Sequence, residues 1–431
     1  MSNEAPPRTQ SRPQPGPTVR APYRQGSRQG PRRGPRHGAR RLPAYVYWRR
    51  RVIVVLAAIT LVMVSYYGIT LGFALNNPSY GAGIQARMAE WGRQHGFGGI
   101  VTWAETEYNK LHPAKVGGTA NTNQIGKGTV TVTVTGSQPL PVPANLKTPA
   151  AVPFVGEGVW KPAGRLTATG VPAVYETFIR PDAIHTSYIV GVAWMDPKIL
   201  SAQLYSGSSI PGGGPFTYSA PITSAASTSV VSVFNAGFRM QDANGGYYTD
   251  NKMVLPLRVG AASAVIYKDG TMTVGQWGRD VTMSANVASV RQNLDLIVDG
   301  GKAVPGLNNP NALAWGKTLG GTFNVWRSGM GVTADGALVY VGGPALSISD
   351  LANTLVRAGA VRAMELDINS DWVDYGTFTG ALGQPVNGSN GTNLLSTMTY
   401  TPAHFFANWW TRDFFVMSIR PKYMTASTAK G

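Results

Sequence analysis

From Ala363 to Asn369 the chain reads Ala-Met-Glu-Leu-Asp-Ile-Asn. In a strand, side chains alternate between two faces. Glu365, Asp367 and Asn369 then share one face, and Met364, Leu366 and Ile368 share the other. In an apolar setting, two carboxylates at that spacing push one pKa upward. A proton donor beside an ionised partner is the result, and it suits acid–base or nucleophilic work. Acids are scarce, with 21 Asp and Glu in 431 residues, so a pair on one strand face stands out. Glu365 and Asp367 are therefore the candidate catalytic residues. A solvated face, or carboxylates paired with arginine, is the plain alternative.

Two other stretches carry polar groups at strand ends. Phe234-Asn235-Ala236-Gly237-Phe238-Arg239 follows the β-branched run Val230–Val233. Asn-x-Gly there places an amide and open backbone at a sheet edge, suited to gripping a hydroxyl or forming a tight turn. Trp326-Arg327-Ser328-Gly329-Met330-Gly331 sets an arginine among small residues. Its guanidinium suits bidentate phosphate contact or a structural ion pair. Trp315, Trp326 and Trp372 are platforms for a ring or members of the core.

Other chemistries are excluded or weak. With no cysteine there is no disulfide, thiolate metal site or thiol nucleophile. Only five histidines are present, His37, His95, His112, His185 and His404, in no metal-ligand spacing. The zinc-protease, serine-hydrolase and phosphate-loop patterns are missing. No metal and no cofactor are expected.

The elements that must position these residues are mostly strands. Asp269-Gly270 and Asp335-Gly336 each separate two apolar runs, a hairpin signal. Asp299-Gly300-Gly301 reads as a plain turn after Leu294–Val298. One helix is marked by Ser347 or Ser349 as cap, by Asp350 in its first turn, by the apolar Leu351, Leu355 and Val356, and by Gly359 at its end. The strand Val361–Asn369 follows. Strands with interspersed helices and no βαβ alternation predict an α+β fold of strand-rich mixed sheets.

The N-terminal part is different. Residues 1–51 hold 13 Arg and one acid, giving +12 of the net +17, so the other 380 residues carry only +5. This Pro- and Arg-rich tail cannot bury enough apolar surface to order itself. Val52–Leu75 has no charged residue over 24 positions and reaches about 36 Å as a helix, enough to cross a bilayer. Arg49, Arg50 and Arg51 set the tail inside and the rest outside, as a signal anchor of an inner (cell) membrane. The tail is then a topology signal near anionic lipid, not a nucleic-acid arm. Residues 76–113 read as a helical juxtamembrane stem, lying at the membrane interface or packing on the main domain, with no chemistry of its own. Residues 114–158 read as a linker in which Gly128–Gly136 alternates like one strand. The main domain is expected over 159–422.

In order and spacing, these stretches resemble the phosphodiester glycosidase family. The matching pieces are Asn235–Arg239, Arg327–Gly331 through Asp335-Gly336, Leu346–Ala352, and Gly359-Ala360 leading to Leu366–Ser370. Ala236, Arg239 and the pair Ile368-Asn369 stand where the family pattern has glycine or an aromatic. The resemblance implies hydrolysis of a sugar 1-phosphodiester at the anomeric carbon. Together with the signal anchor, this makes the expected substrate a cell-envelope glycan outside the cytoplasm. It gives Asp367 or Glu365 the acid, base or nucleophile role. Arg327 would hold the phosphate and Asn235 a sugar hydroxyl, with Gly237, Arg239, Asn369 and Ser370 completing the binding set. A non-catalytic glycan binder or scaffold of the same fold is the second reading.

Overall fold

The computed structural model describes residues 43–132, 137–309, 314–315 and 324–425. The basic tail up to residue 42 and the second half of the Gly128–Gly136 run lie outside them. The chain divides into two units, Met1–Ser65 and Tyr66–Gly431.

Helix α1 (Ala44–Asn76) begins in the first unit and ends in the second. It starts eight residues before the predicted span, so 44–51 are helical and not part of an unstructured tail. Pro43 precedes it, and the Val46 N–H bonds back to the Pro43 carbonyl at 2.9 Å. By length and composition α1 is one candidate membrane-spanning helix near the N-terminus, and its most apolar window is nowhere buried by protein.

In the second unit α2 (Ile84–Gln94) and α3 (Gly98–Leu111) form the expected helical pair, broken at Gly96 with φ +86°. In the described part of the predicted alternating strand, residues 128–132, Thr129 makes a single bridge to Ala163 and no strand forms.

Three antiparallel sheets follow. The largest holds β1 (Lys161–Leu166), β2 (Pro172–Ile179), β3 (Val190–Met195), β11 (Leu296–Asp299), β12 (Lys302–Ala303), β13 (Val325–Thr333), β14 (Leu338–Leu346) and β15 (Ala360–Asp367). Its order is β1-β2-β3-β14-β13-β15-β11-β12. A second sheet comprises β6 (Tyr247–Thr249), β7 (Lys252–Leu255), β8 (Ala262–Tyr267), β9 (Met272–Gln276) and β10 (Val287–Gln292). The third contains β4 (Leu200–Tyr205), β5 (Val230–Asn235), β16 (Tyr375–Phe378), β17 (Gly391–Asn393) and β18 (Phe414–Ile419). The fold is α+β, as predicted.

Asp269-Gly270 turns β8 into β9 and Asp335-Gly336 turns β13 into β14, with Gly270 at φ +80° and Gly336 at φ +89°. Helix α4 (Ile348–Arg357) is capped by Ser347, whose Oγ accepts the Asp350 N–H at 3.1 Å while Asp350 accepts the Ser347 N–H. Its Ile348, Leu351 and Leu355 cover one face of the large sheet, against Val339, Val341 and Ala363. The opposite face shares a core with both smaller sheets through residues such as Met330, Phe234 and Ile266. Buried on both faces, β2 and β3 have no exposed residue.

Candidate active site

The carboxylates arrive on β15. In its pairing with β13, Ser328 faces Asp367 and Gly329 faces Glu365, so Leu366 is an extra residue in a bulge. The strand stops at Asp367, and Asn369 lies in the turn beyond instead of on the predicted strand face. Asp367 Oδ1 accepts the N–H groups of Ile368 at 2.8 Å and Asn369 at 3.1 Å. Asn369 Oδ1 accepts the Asp371 N–H at 2.9 Å, which fixes that turn.

Glu365 and Asp367 have different surroundings. Arg327 Nη1 donates to Glu365 Oε1 at 2.6 Å with both side chains buried, and Arg327 Nε donates to the Leu346 carbonyl at 2.9 Å. Burial pushes Glu365 up to about 7 against the pull of Arg327, and the Asp367 charge adds to the rise. The geometry is the one named by the plain alternative, a scarce acid paired with an arginine. Neither residue lines the cavity in which Asp367 is found.

Asn235 is likewise turned inward. Its Nδ2 donates to Ser328 Oγ at 3.0 Å, and its Oδ1 accepts from Tyr340 OH at 3.1 Å and the Asp374 N–H at 3.3 Å. Ser328 Oγ also accepts the Asp367 N–H at 3.2 Å. Asn235 therefore positions Asp367 at one remove. Gly237 allows a close approach: a Cβ there would stand 3.1 Å from Arg291 Cζ. Arg291 is buried and donates to Asp413 Oδ2 at 2.6 Å.

The cavity has a volume of about 470 Å³. Asp367, Asn369, Ser370 and Arg239 line it, as do Arg412, Trp326 and Trp372. Four of the predicted site residues thus meet at one cavity. Asn235, Gly237, Arg327 and Glu365 do not line it. Trp315 does not either; its Nε1 donates to the Leu296 carbonyl at 3.2 Å. The stem helices, given no chemistry by the sequence, supply Glu90, Arg93, Glu105 and Tyr108 to the wall.

Two guanidinium groups dominate the charge. Arg239 donates to Asp242 Oδ2 at 2.8 Å and to Glu90 Oε1 at 3.2 Å. Arg412 lies over Trp372 with its Cζ 4.2 Å from the ring centroid, a cation–π stack. Its Nη2 is 3.7 Å from Glu90 Oε2, and its buried Nη1 has no hydrogen-bond partner among the described residues. Burial would raise Glu90, but Arg412 and Arg239, with Gln94 and Arg93, outweigh it and hold the carboxyl below its usual value. Asp367 is driven the other way. Burial pushes it up to about 6, opposed by Arg412, the two backbone N–H groups and Arg239.

Behind this wall Asp374 is fully buried, and burial together with Asp371 and Asp367 holds it well above the ordinary range. His404 Nε2 lies 3.9 Å from Asp374 Oδ2, and burial holds the ring neutral by lowering it to about 3. Among the described residues no group of three or more His, Asp or Glu is placed to hold a metal ion.

The sequence missed Arg412 and Glu90. Arg412 sits just before β18 in Trp-Trp-Thr-Arg-Asp, which has no periodic or turn signal. Glu90 lies on an ordinary amphipathic helix.

No family model matches this chain, and no curated protein is similar to it. Among solved structures, it is distantly similar to the zebrafish N-acetylglucosamine-1-phosphodiester alpha-N-acetylglucosaminidase catalytic domain auto-inhibited by pro-peptide. That similarity has 13% identity and a TM-score of 0.38, over 60% of this chain and 87% of that one. A hypothetical protein from Synechocystis is similar at 12% identity and a TM-score of 0.29, over 58% and 65%.

Proposed function

We propose that this chain is a membrane-anchored hydrolase that cleaves the glycosidic bond of a sugar 1-phosphodiester in cell-envelope glycans. Its N-terminus is cytoplasmic and its catalytic domain lies outside the inner membrane. The observation that carries the reading is one cavity holding a carboxyl raised to about 6, Asp367, beside two buried guanidinium groups, Arg239 and Arg412. The order of the family-like motifs supports it.

The chemistry assigns the roles. Water adds to the anomeric carbon while the bond from that carbon to the phosphate oxygen breaks. The leaving phosphomonoester has a second pKa near 6, so it departs without a strong acid. What the reaction needs is a base or nucleophile, and Asp367 is ionised above about 6. The phosphate gains one negative charge as it leaves. Arg412 and Arg239 face that growing charge, which favours the transition state over the ground state. Arg412 thus takes the phosphate role that the family resemblance gave to Arg327.

A second reading, a non-catalytic glycan binder, is favoured by Glu90, which already faces both arginines. The test is release of free sugar from a panel of sugar 1-phosphodiesters by the detergent-solubilised full chain and its Asp367→Asn variant. Turnover lost in the variant supports the hydrolase. Glycan binding by both proteins without turnover supports the binder.

A further inference from the structure

Helix α3 has two working faces. Glu105, Tyr108, Asn109 and His112 at its C-terminal end line the cavity. Ile100, Trp103 and Leu111 project from a different side of the helix, given its 100° step per residue. They are 63%, 65% and 75% exposed. Glu107, the acid on that side, is paired with Lys110 at 2.7 Å. Helix α2, which packs against α3, also carries exposed Ile84 and Met88. Elsewhere in the second unit past residue 112, the large exposed apolar residues sit in loops or, for Met253, on the edge strand β7.

Helix α2 and the turn before α3 grip the end of α1. Trp91 Nε1 donates to Thr70 Oγ1 at 3.1 Å, and Arg87 Nη1 donates to the Leu75 carbonyl at 2.7 Å. Tyr67 meets Trp91 and Phe97 edge-on. Hence the side of α2 that carries Ile84, Met88 and Trp91 adjoins the last turns of the candidate membrane helix, and α3 follows directly from it at Phe97. An apolar side bearing a tryptophan, on a helix of low overall hydrophobicity, suits a bilayer interface.

We propose that α2 and α3 lie in the headgroup layer that α1 enters, with Ile100, Trp103 and Leu111 in lipid, and that the cavity takes its phosphodiester from a membrane lipid. A helix with side chains is about 10 Å across, so the cavity wall stands roughly that far from the lipid. A lipid-linked sugar phosphate carries its phosphodiester at that depth, next to Arg239 and Arg412. The substrate part of this inference rests on the hydrolase reading; the placement part rests on α1 spanning the membrane.

The chain has no cysteine, so single-cysteine spin labels are unambiguous. Full-length protein in phosphatidylethanolamine/phosphatidylglycerol nanodiscs would be labelled in Trp103→Cys, Leu111→Cys, Leu61→Cys on α1 and Val259→Cys in a distant loop. The expected result is preference for oxygen over a water-soluble nickel chelate at 61, 103 and 111, and the reverse at 259. Sites 103 and 111 behaving like 259 while 61 stays in lipid overturns the placement. A water-exposed 61 overturns the anchor and the placement together.

The second arm compares Trp103→Asp/Leu111→Asp with the parent chain. Cleavage of a lipid-linked sugar phosphodiester in vesicles should fall at least tenfold, with a short-chain soluble analogue cleaved at the parent rate. Equal loss on both substrates, or on neither, overturns the lipid-substrate inference. A parent chain that cleaves neither sinks the hydrolase reading and the substrate inference with it, while the label pattern still decides the placement.

Discussion

Arg327 and Glu365 meet at 2.6 Å with side-chain exposures of 1% and 0%. Removing one partner leaves an uncompensated buried charge, which costs about 3–5 kcal/mol, whereas replacing both with apolar residues is near neutral. Arg327→Met should therefore lower the stability of the full chain by about that amount, and Arg327→Met/Glu365→Leu should recover most of it. Urea unfolding followed by tryptophan fluorescence measures both. A double variant as unstable as the single one would show that the two side chains do not act as a unit.

On the proposed hydrolase reading, Asp367 sets the pH dependence of turnover. Burial pushes its carboxyl up to about 6, and the proposed base or nucleophile role needs the ionised form. The kcat/KM of the parent chain should rise with pH through about 6 and then level off. Asp367→Asn should lose about 10²–10⁴-fold and show no limb near that pH. A limb that persists in the variant assigns it to another group.

How much of this was legible in the sequence depends on how local each signal was. Asp269-Gly270 and Asp335-Gly336 were readable because a tight turn needs positive φ, and glycine supplies it. Ser347 and Asp350 were readable because a capping box is three residues wide. β2 and β3 went unmarked because a strand buried on both faces does not alternate. The choice between Arg327 and Arg412 was not legible at all. It turns on the bulge at Leu366 and on where β18 begins, both set by pairing between distant segments. Glu90 reaches the cavity only because the stem packs there, and stem packing left no trace in the composition.

Glu176 gives the folded state its own pH response. It is fully buried on β2, its contact with Thr377 Oγ1 is long at 3.3 Å, and burial pushes it up to about 8. In the unfolded chain its pKa returns to about 4.3. Between those values the folded state binds more protons than the unfolded one, so this group's stabilisation is full at low pH and is lost as pH rises toward 8. Glu176→Gln should flatten that slope and be more stable than the parent chain at pH 8, by a few kcal/mol at order of magnitude. Unfolding midpoints from pH 5 to 8 test it, and parallel curves would place the slope on another group.

Glu90 already faces the two arginines that the proposed function assigns to the phosphate, so on that reading it competes with substrate for them. Its carboxylate sits 3.2 Å from Arg239 and 3.7 Å from Arg412 and is stabilised in the charged form by both. A phosphodiester entering the cavity carries the same charge, so it must displace or share that contact. Glu90→Gln removes the competing charge and keeps the hydrogen-bonding shape. It should tighten the binding of inorganic phosphate, used as a probe, by several-fold, because an exchange of about 1.4 kcal/mol is tenfold in affinity. Arg412→Gln should weaken phosphate by about tenfold or more, since a charge-assisted bond contributes about 1.5–3 kcal/mol. Calorimetric titration of the two variants and of Glu90→Gln/Arg412→Gln closes the cycle. If the Glu90 gain survives unchanged without Arg412, the carboxylate acts through Arg239 alone.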